Sequence, residues 1–288
     1  MDLQLRHGAV GPDDRVVMAI VNRTPDSFFD RGATYGLQAA LERVATVVAQ
    51  GARIVDIGGV KAGPGDEVDA REERARTVDL VAQVRQQHPD LTISVDTWRA
   101  EVGAAVCAAG ADILNDAWGG VDPELAAVAA ERGAGLVCTH TGGQAPRTRP
   151  HRVGYPDVMA DILRRTLAEA ERAVSLGVAP DRVMIDPGHD FGKNTRHSLI
   201  ATRELGQMVA TGWPVLVSLS RKDFVGESLG IADPASRLVG TLAATTVSSM
   251  LGARVYRAHD VVETLQALDM ERTIAGTRQP AVSRRGLA

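Results

Sequence analysis

The sequence predicts an α/β fold of the (β/α)8 TIM-barrel type in a single domain, and three observations predict it. Eight short apolar runs rich in β-branched residues recur along the chain, at 15–22, 52–59, 91–97, 111–117, 135–141, 183–188, 214–222 and 254–260. Most are too continuously apolar for strands with one wet face, as expected of a parallel sheet covered on both sides. Segments of helical spacing separate them, and successive units are about 34 residues apart, room for one strand, one helix and two loops. A doubly wound open sheet is the rival, because strand count is the weak point of such a reading.

Residues 1–14 read as an N-terminal extension, 15–272 as the barrel and 273–288 as a C-terminal tail, with both ends expected to be mobile. After the first run, Leu37, Ala40, Leu41, Val44, Val47 and Val48 lie on one helical stripe that stops at Gly51, a residue suited to a left-handed cap. The same stop recurs at Gly110, Gly133, Gly177 and Gly252. The pairs Gly58-Gly59, Gly119-Gly120 and Gly142-Gly143 permit tight turns after strands but form neither a P-loop nor a dinucleotide fingerprint. Residues 240–250 place small side chains along a helix, which allows close packing.

Composition narrows the function. A formal net charge of -4 provides no broad positive field, which argues against nucleic acid and anionic lipid as partners. No basic segment followed by an apolar run opens the chain, and no stretch approaches the roughly 20 apolar residues of a membrane span. A cytoplasmic protein is expected, with Cys107 and Cys138 as buried, reduced thiols.

In a barrel of this type ligands bind at the carboxyl ends of the strands. The runs end in Asn22, Asp56, Asp96, Asn115 with Asp116, His140, Asp186, Ser220 with Lys222, and Arg257 with His259. Helix N-capping explains any one Asp, Asn or Ser, but Lys222, Arg257 and His259 are not capping types. Asp96, Asn115 and Asp186 suit the hydrogen-bonding edge of a flat, nitrogen-rich ring, with Lys222 at its carbonyl and Arg257 on its face. Lys222, Arg257, His259 and nearby loop amides suit an anion, so a phosphorylated ligand is expected. His140, His189 and His259 have no diagnostic metal-ligand spacing, and Ser27, Ser218 and Ser220 lack the Gly-x-Ser-x-Gly elbow of a nucleophile.

At these residues the sequence resembles the dihydropteroate synthase family over nearly the whole chain, from about Val17 to Met270. The resemblance rests on MAIVNRTPDSFFD (18–30), VDIGG (55–59), SVDT (94–97), LND (114–116), DPG (186–188), FGK (191–193), SRK (220–222) and RAHDV (257–261). It implies a barrel, a homodimer, and a reaction joining p-aminobenzoate to 6-hydroxymethyl-dihydropterin diphosphate with release of diphosphate. It implies that Asp96, Asn115, Asp186, Lys222 and Arg257 bind a pterin or pterin-like ligand. Asn22, Arg257 and His259 would take the anion, Asn22 would touch the Mg2+, and p-aminobenzoate or sulfa-type analogues would be second ligands. Asp30, with Phe28 in a mobile first loop, and Lys222 would be the catalytic residues.

Other loops depart from the family. Where its members usually read Gly-Gly-Glu-Ser-Thr-Arg-Pro-Gly, this chain has Gly58-Gly59-Val60-Lys61-Ala62-Gly63-Pro64-Gly65. Gly63 thus replaces an arginine, a loss of about 1.5–3 kcal/mol of charge-assisted contact unless Lys61, Arg23 or Arg31 restores it. Arg23, Phe29 and Arg31 make the first loop bulkier and more charged, and threonines at 139 and 141 replace methionine-like packing. His189-Asp190 replaces a usual Phe-Gly pair. Asp223 sits by the helix N-terminus where the resemblance places the benzoate carboxylate; it either repels that group or caps the helix. The expectation is a paralogue with a pterin-shaped pocket and weak or lost synthase activity. An active synthase with compensating loops, or a transferase acting on another heterocycle, are the alternatives.

Overall fold

The computed structural model describes residues 1–6, 8–25, 32–149 and 151–286. Eight parallel strands form the barrel: β3 (Val16–Asn22), β4 (Ile54–Gly58), β5 (Thr92–Asp96), β6 (Ile113–Asp116), β7 (Gly135–Thr139), β8 (Val183–Asp186), β9 (Leu216–Ser218) and β10 (Val255–Ala258). They are numbered after a hairpin of β1 (Leu3–Leu5) and β2 (Gly8–Val10). Each lies within one of the apolar runs read from the sequence. Their order is β8-β7-β6-β5-β4-β3-β10-β9, and a parallel bridge from Ile185 to Val215 closes the barrel between β8 and β9.

The helices around the barrel are α1 (Leu37–Ala49), α2 (Ala70–Gln87), α3 (Ala100–Ala109), α4 (Glu124–Arg132), α5 (Val158–Ser175), α6 (Thr195–Arg203), α7 (Gly206–Val209), α8 (Asp223–Leu229), α9 (Leu238–Met250) and α10 (Val261–Ile274). Helix α1 buries Ala40, Leu41, Val44 and Val47, the predicted stripe. Gly51, Gly110, Gly133, Gly177 and Gly252 all have positive φ, which L side chains adopt at a cost. The main core lies between strands and helices, where alternate residues such as Val17, Ala19 and Val21 meet α1 and its neighbours.

The other strand face fills the barrel interior, and here the structure corrects the expectation of a mobile N-terminus. The β1–β2 hairpin buries Leu3, Leu5 and Val10 against Val16, Met18, Ile54, Ile113, Val137, Met184, Leu216 and Val255. It plugs the end of the barrel where the strands begin, because three buried apolar residues in ten outweigh the ordering cost that would leave a polar tail free. With that end filled, the cavity of the barrel among the described residues lies at the carboxyl ends of the strands. Residues 276–286 after α10 are mostly exposed.

Candidate functional site

Asp56, buried on β4, is the hub of the strand-end cluster. Its carboxylate accepts from Ser94 Oγ at 2.6 Å, from Asn115 Nδ2 at 3.2 Å and from Arg257 Nε at 2.6 Å. Arg257 reaches on from β10 to Asp96 Oδ2 at 3.1 Å. Burial alone would lower the Arg257 pKa, but Asp56 and Asp96 outweigh it and raise it. Burial pushes Asp96 up to about 7 against the pull of Arg257, so this carboxyl is poised to bind or release a proton near neutrality.

On the facing side, Asp186 ends β8. Its Oδ1 accepts the Gly188 N–H at 2.6 Å, and burial raises its pKa while Lys222 opposes the rise. Lys222 donates to the His189 carbonyl at 2.6 Å and stands 4.7 Å from the Phe191 ring centroid. His259 Nδ1 meets Ser220 Oγ at 2.9 Å; burial, then Arg257, lowers its pKa to about 3, so the imidazole is neutral.

Asn22, Asp96, Asn115, Asp186, Lys222, Arg257 and His259 all line one cavity of about 100 Å³, which also includes Ser218, Phe191 and Lys61. The structure therefore brings together seven of the eight predicted site residues. The eighth, Asp30, lies outside the described residues, as do Phe28, Phe29 and Arg31. Sharing Lys61, Ala62, Phe191 and Lys222 with this cavity, a wider cleft of about 630 Å³ runs past Gly63, Arg149, Arg152, Asp190, Asp223 and Arg237.

Several side chains read only loosely from sequence take defined places. Asp116 turns away from the cavity to accept from the N–H groups of Trp118 and Gly120. Arg221, beside Lys222, is no solvated base: its guanidinium grips both oxygens of Asp260 at 2.8 and 2.9 Å. The three histidines take separate partners. His189 Nε2 meets Thr202 Oγ1 at 2.9 Å, whereas His140 bridges Lys193 and Asp161. Asp223 neither caps α8 with its side chain nor stands alone, because it pairs with Arg237 at 2.9 Å.

Two features escaped the sequence reading. Lys193 is buried, and its ammonium meets His140 Nδ1 at 2.6 Å and the carbonyls of Gly188, Phe191 and His140 at 3.0, 3.1 and 3.2 Å. Gly188 and Gly192 make this possible, with φ of 64° and 58°; an added Cβ would come within 2.0 Å of the carbonyls of His140 and Thr141 respectively. Arg147, in the loop after β7, reaches the loop after β4, donating to the carbonyls of Asp66 and, at 3.4 Å, Gly63. A guanidinium from another loop thus stands beside the position at which the sequence lacks an arginine. Only a long-range contact reveals it, and although Lys193 stands in the FGK segment, nothing local in the sequence shows its role.

Comparison with known proteins agrees with this geometry. The sequence profile of the family described as pterin binding enzyme matches residues 18–259. A Mycobacterium leprae protein named inactive dihydropteroate synthase 2 is 55% identical over 283 residues, 97% of each chain. The Yersinia pestis dihydropteroate synthase, solved with a sulfonamide drug complex, superposes with a TM-score of 0.90 at 34% identity, over 96% of this chain and all of that one. The Xanthomonas albilineans enzyme with 4-aminobenzoic acid superposes with a TM-score of 0.86 at 33% identity, covering 98% and 99%.

Proposed function

Because the chain belongs to the pterin-binding enzyme family, we propose that it is a dihydropteroate synthase-like barrel that binds a pterin while its synthase activity is weak or lost. One observation carries the reading. The side of the cavity suited to a heterocycle is whole, with Asp96, Asn115, Asp186, Lys222 and Arg257 around one space, while the groups that would hold the other reactants are altered.

A pterin would seat its N–H edge against the carboxylates of Asp96 and Asp186 and the Asn115 amide, with Lys222 at its carbonyl and the planar Arg257 guanidinium along its face. Arg257, already tied to two carboxylates, would bring orientation rather than spare charge. His259, neutral, would contribute a hydrogen bond and not a cation to an anion beside it. Among the described residues no group of three or more His, Cys, Asp or Glu side chains could cage a metal. That donor set fits Mg2+ only as an ion carried by substrate phosphates, with the Asn22 amide oxygen as its protein ligand. Bound there, it would neutralise charge on a departing diphosphate.

Diphosphate release from 6-hydroxymethyl-dihydropterin diphosphate with Mg2+, measured with and without p-aminobenzoate, tests the proposal. Pterin binding without appreciable release supports it, and robust release that depends on p-aminobenzoate overturns it. The second reading, a working synthase, is favoured by Arg147 beside Gly63 and by Lys61 at the junction of the two spaces.

A homodimer of a cytoplasmic protein completes the proposal. Val239, Val247 and Met250 on α9 and Met270 and Ile274 on α10 are exposed on neighbouring helices, an apolar surface of the kind that mates with a second copy. Among the described residues no helix is long and apolar enough to cross a membrane.

A further inference from the structure

Strand side chains alternate between faces, and Ile113, Val137 and Met184 fill the barrel interior. Asn115, Thr139 and Asp186 stand two residues further along β6, β7 and β8, so they face inward too, one layer nearer the carboxyl ends. Thr139 is paired in register with Asp186, and all three residues line the cavity of about 100 Å³. Two of them have partners within the protein: the Asn115 amide donates to Asp56, and Asp186 accepts the Gly188 N–H. Thr139 is the exception, since it is only 6% exposed and its Oγ1 has no hydrogen-bond partner among the described residues. A buried hydroxyl without a partner costs stability, and a ligand atom that bonds to it recovers that cost. At this position the family resemblance expects methionine-like packing. The change therefore does two things at once: it shortens the wall beside the ligand, and it puts a donor and acceptor where an apolar thioether would stand.

We propose that Thr139 is a specificity-determining residue: its hydroxyl selects a pterin-type ring that carries an exocyclic oxygen on the pyrazine half. The inference rests on the pterin-binding reading above and narrows the ligand class within it. The pyrimidine half is already matched, with Asp96, Asp186 and Asn115 on its N–H edge and Lys222 on its carbonyl, so a further polar contact falls on the second ring. A ring nitrogen lies within the outline of the ring and does not fill the space that the shorter side chain leaves. An oxo group both fills it and accepts from the hydroxyl. A site built to bond such a group discriminates against the analogue that lacks it, because its own buried hydroxyl is then left unpaired. Thr24 Oγ1 is also buried without a partner and lines this cavity, but it follows β3, four strands from β7 around the barrel, and so serves as a control.

Calorimetric titration of pterin, xanthopterin (the 6-oxo ring) and isoxanthopterin (the 7-oxo ring) into the full chain tests this. The wild type is compared with Thr139→Val, which keeps the shape and removes the hydroxyl, with Thr139→Ser, which keeps the hydroxyl, and with Thr24→Val. The wild type is expected to bind at least one oxo ring about tenfold or more tighter than pterin. Thr139→Val should narrow that preference to less than about threefold while leaving pterin itself within about threefold, and Thr139→Ser and Thr24→Val should retain it. Binding of pterin with no preference for either oxo ring, a preference that survives Thr139→Val, or one lost equally in Thr24→Val would overturn the proposal alone. Failure of all three rings to bind the wild type would overturn the pterin reading and this inference with it.

Discussion

Replacing Lys193 by methionine isolates the strut that holds the β7 and β8 loops together. The side chain is 1% exposed, and its ammonium serves four acceptors: His140 Nδ1 and the carbonyls of His140, Gly188 and Phe191. With His140 Nε2 turned to Asp161 at 2.9 Å and its pKa lowered to about 3 by burial and by Lys193, the imidazole is neutral and accepts from the ammonium. Methionine matches the length but donates nothing. Each buried acceptor left unsatisfied costs about 1–3 kcal/mol, while removing a buried ammonium recovers part of its desolvation cost. The net loss expected is about 3–5 kcal/mol, or about 6–10 °C in Tm at roughly 2 °C per kcal/mol for a domain of this size. Scanning calorimetry of Lys193→Met measures it, and titration with 6-hydroxymethylpterin reads the second consequence, weaker binding as the loop carrying Gly188 and His189 shifts. A Tm within about 2 °C of the wild type would mean that water replaces the ammonium at little cost, and the strut argument would fail.

Asp96 gives the pH dependence. Its carboxyl is raised to about 7 by burial, so the folded chain holds this proton more tightly than the unfolded one; the associated stability is greatest at low pH and is lost as pH rises through about 7. Pterin binding runs the other way, because the N–H edge needs an ionised acceptor. Affinity is expected to fall by up to about tenfold per pH unit below 7, and Asp96→Asn to flatten that profile; a flat wild-type profile would remove Asp96 from the site. Gly63→Arg is sterically open, since among the described residues an added Cβ would meet only Lys61 Cε at 3.8 Å. It should raise pterin diphosphate affinity about ten- to a hundredfold by calorimetry, and no gain would mean that Arg147 or Lys61 already fills the role. Light scattering should give a dimer that Val239→Glu with Met250→Lys converts to a monomer, and a wild-type monomer would refute the α9–α10 interface.

Sequence pattern reached far into this fold because buried parallel strands and left-handed helix stops both leave local marks. The runs at 15–22 and 254–260 are apolar on both faces since one meets helices and the other fills the barrel. The first residues left no such mark: Leu3, Leu5 and Val10 are too few to show periodicity, and only the barrel end they seal explains them. The same limit separates the site residues that were legible from those that were not. Asp96, Asn115 and Asp186 announced themselves as polar ends of apolar strands. Asp56 did too, but nothing local shows that its carboxylate would be shared by Ser94, Asn115 and Arg257 from three other strands.

Charge balance in the loops was the least legible part, because a carboxylate's meaning depends on partners distant in sequence. Asp223 reads as a repulsive charge until Arg237 is seen beside it, and Gly63 as a lost cation until Arg147 is seen across the gap. Asp190 reads as one of a changed pair until its oxygen is found on the Phe224 amide. Of the three, the Asp190 carboxylate alone sits on a backbone donor, the Phe224 N–H, with Lys222 as its main opposing charge. The heterocycle half of the site can therefore stay intact while the wider cleft changes, since the two spaces meet at Lys61, Ala62, Phe191 and Lys222. In a barrel whose strands set the pocket floor and whose loops set the surroundings of its mouth, one half of a site can change without the other.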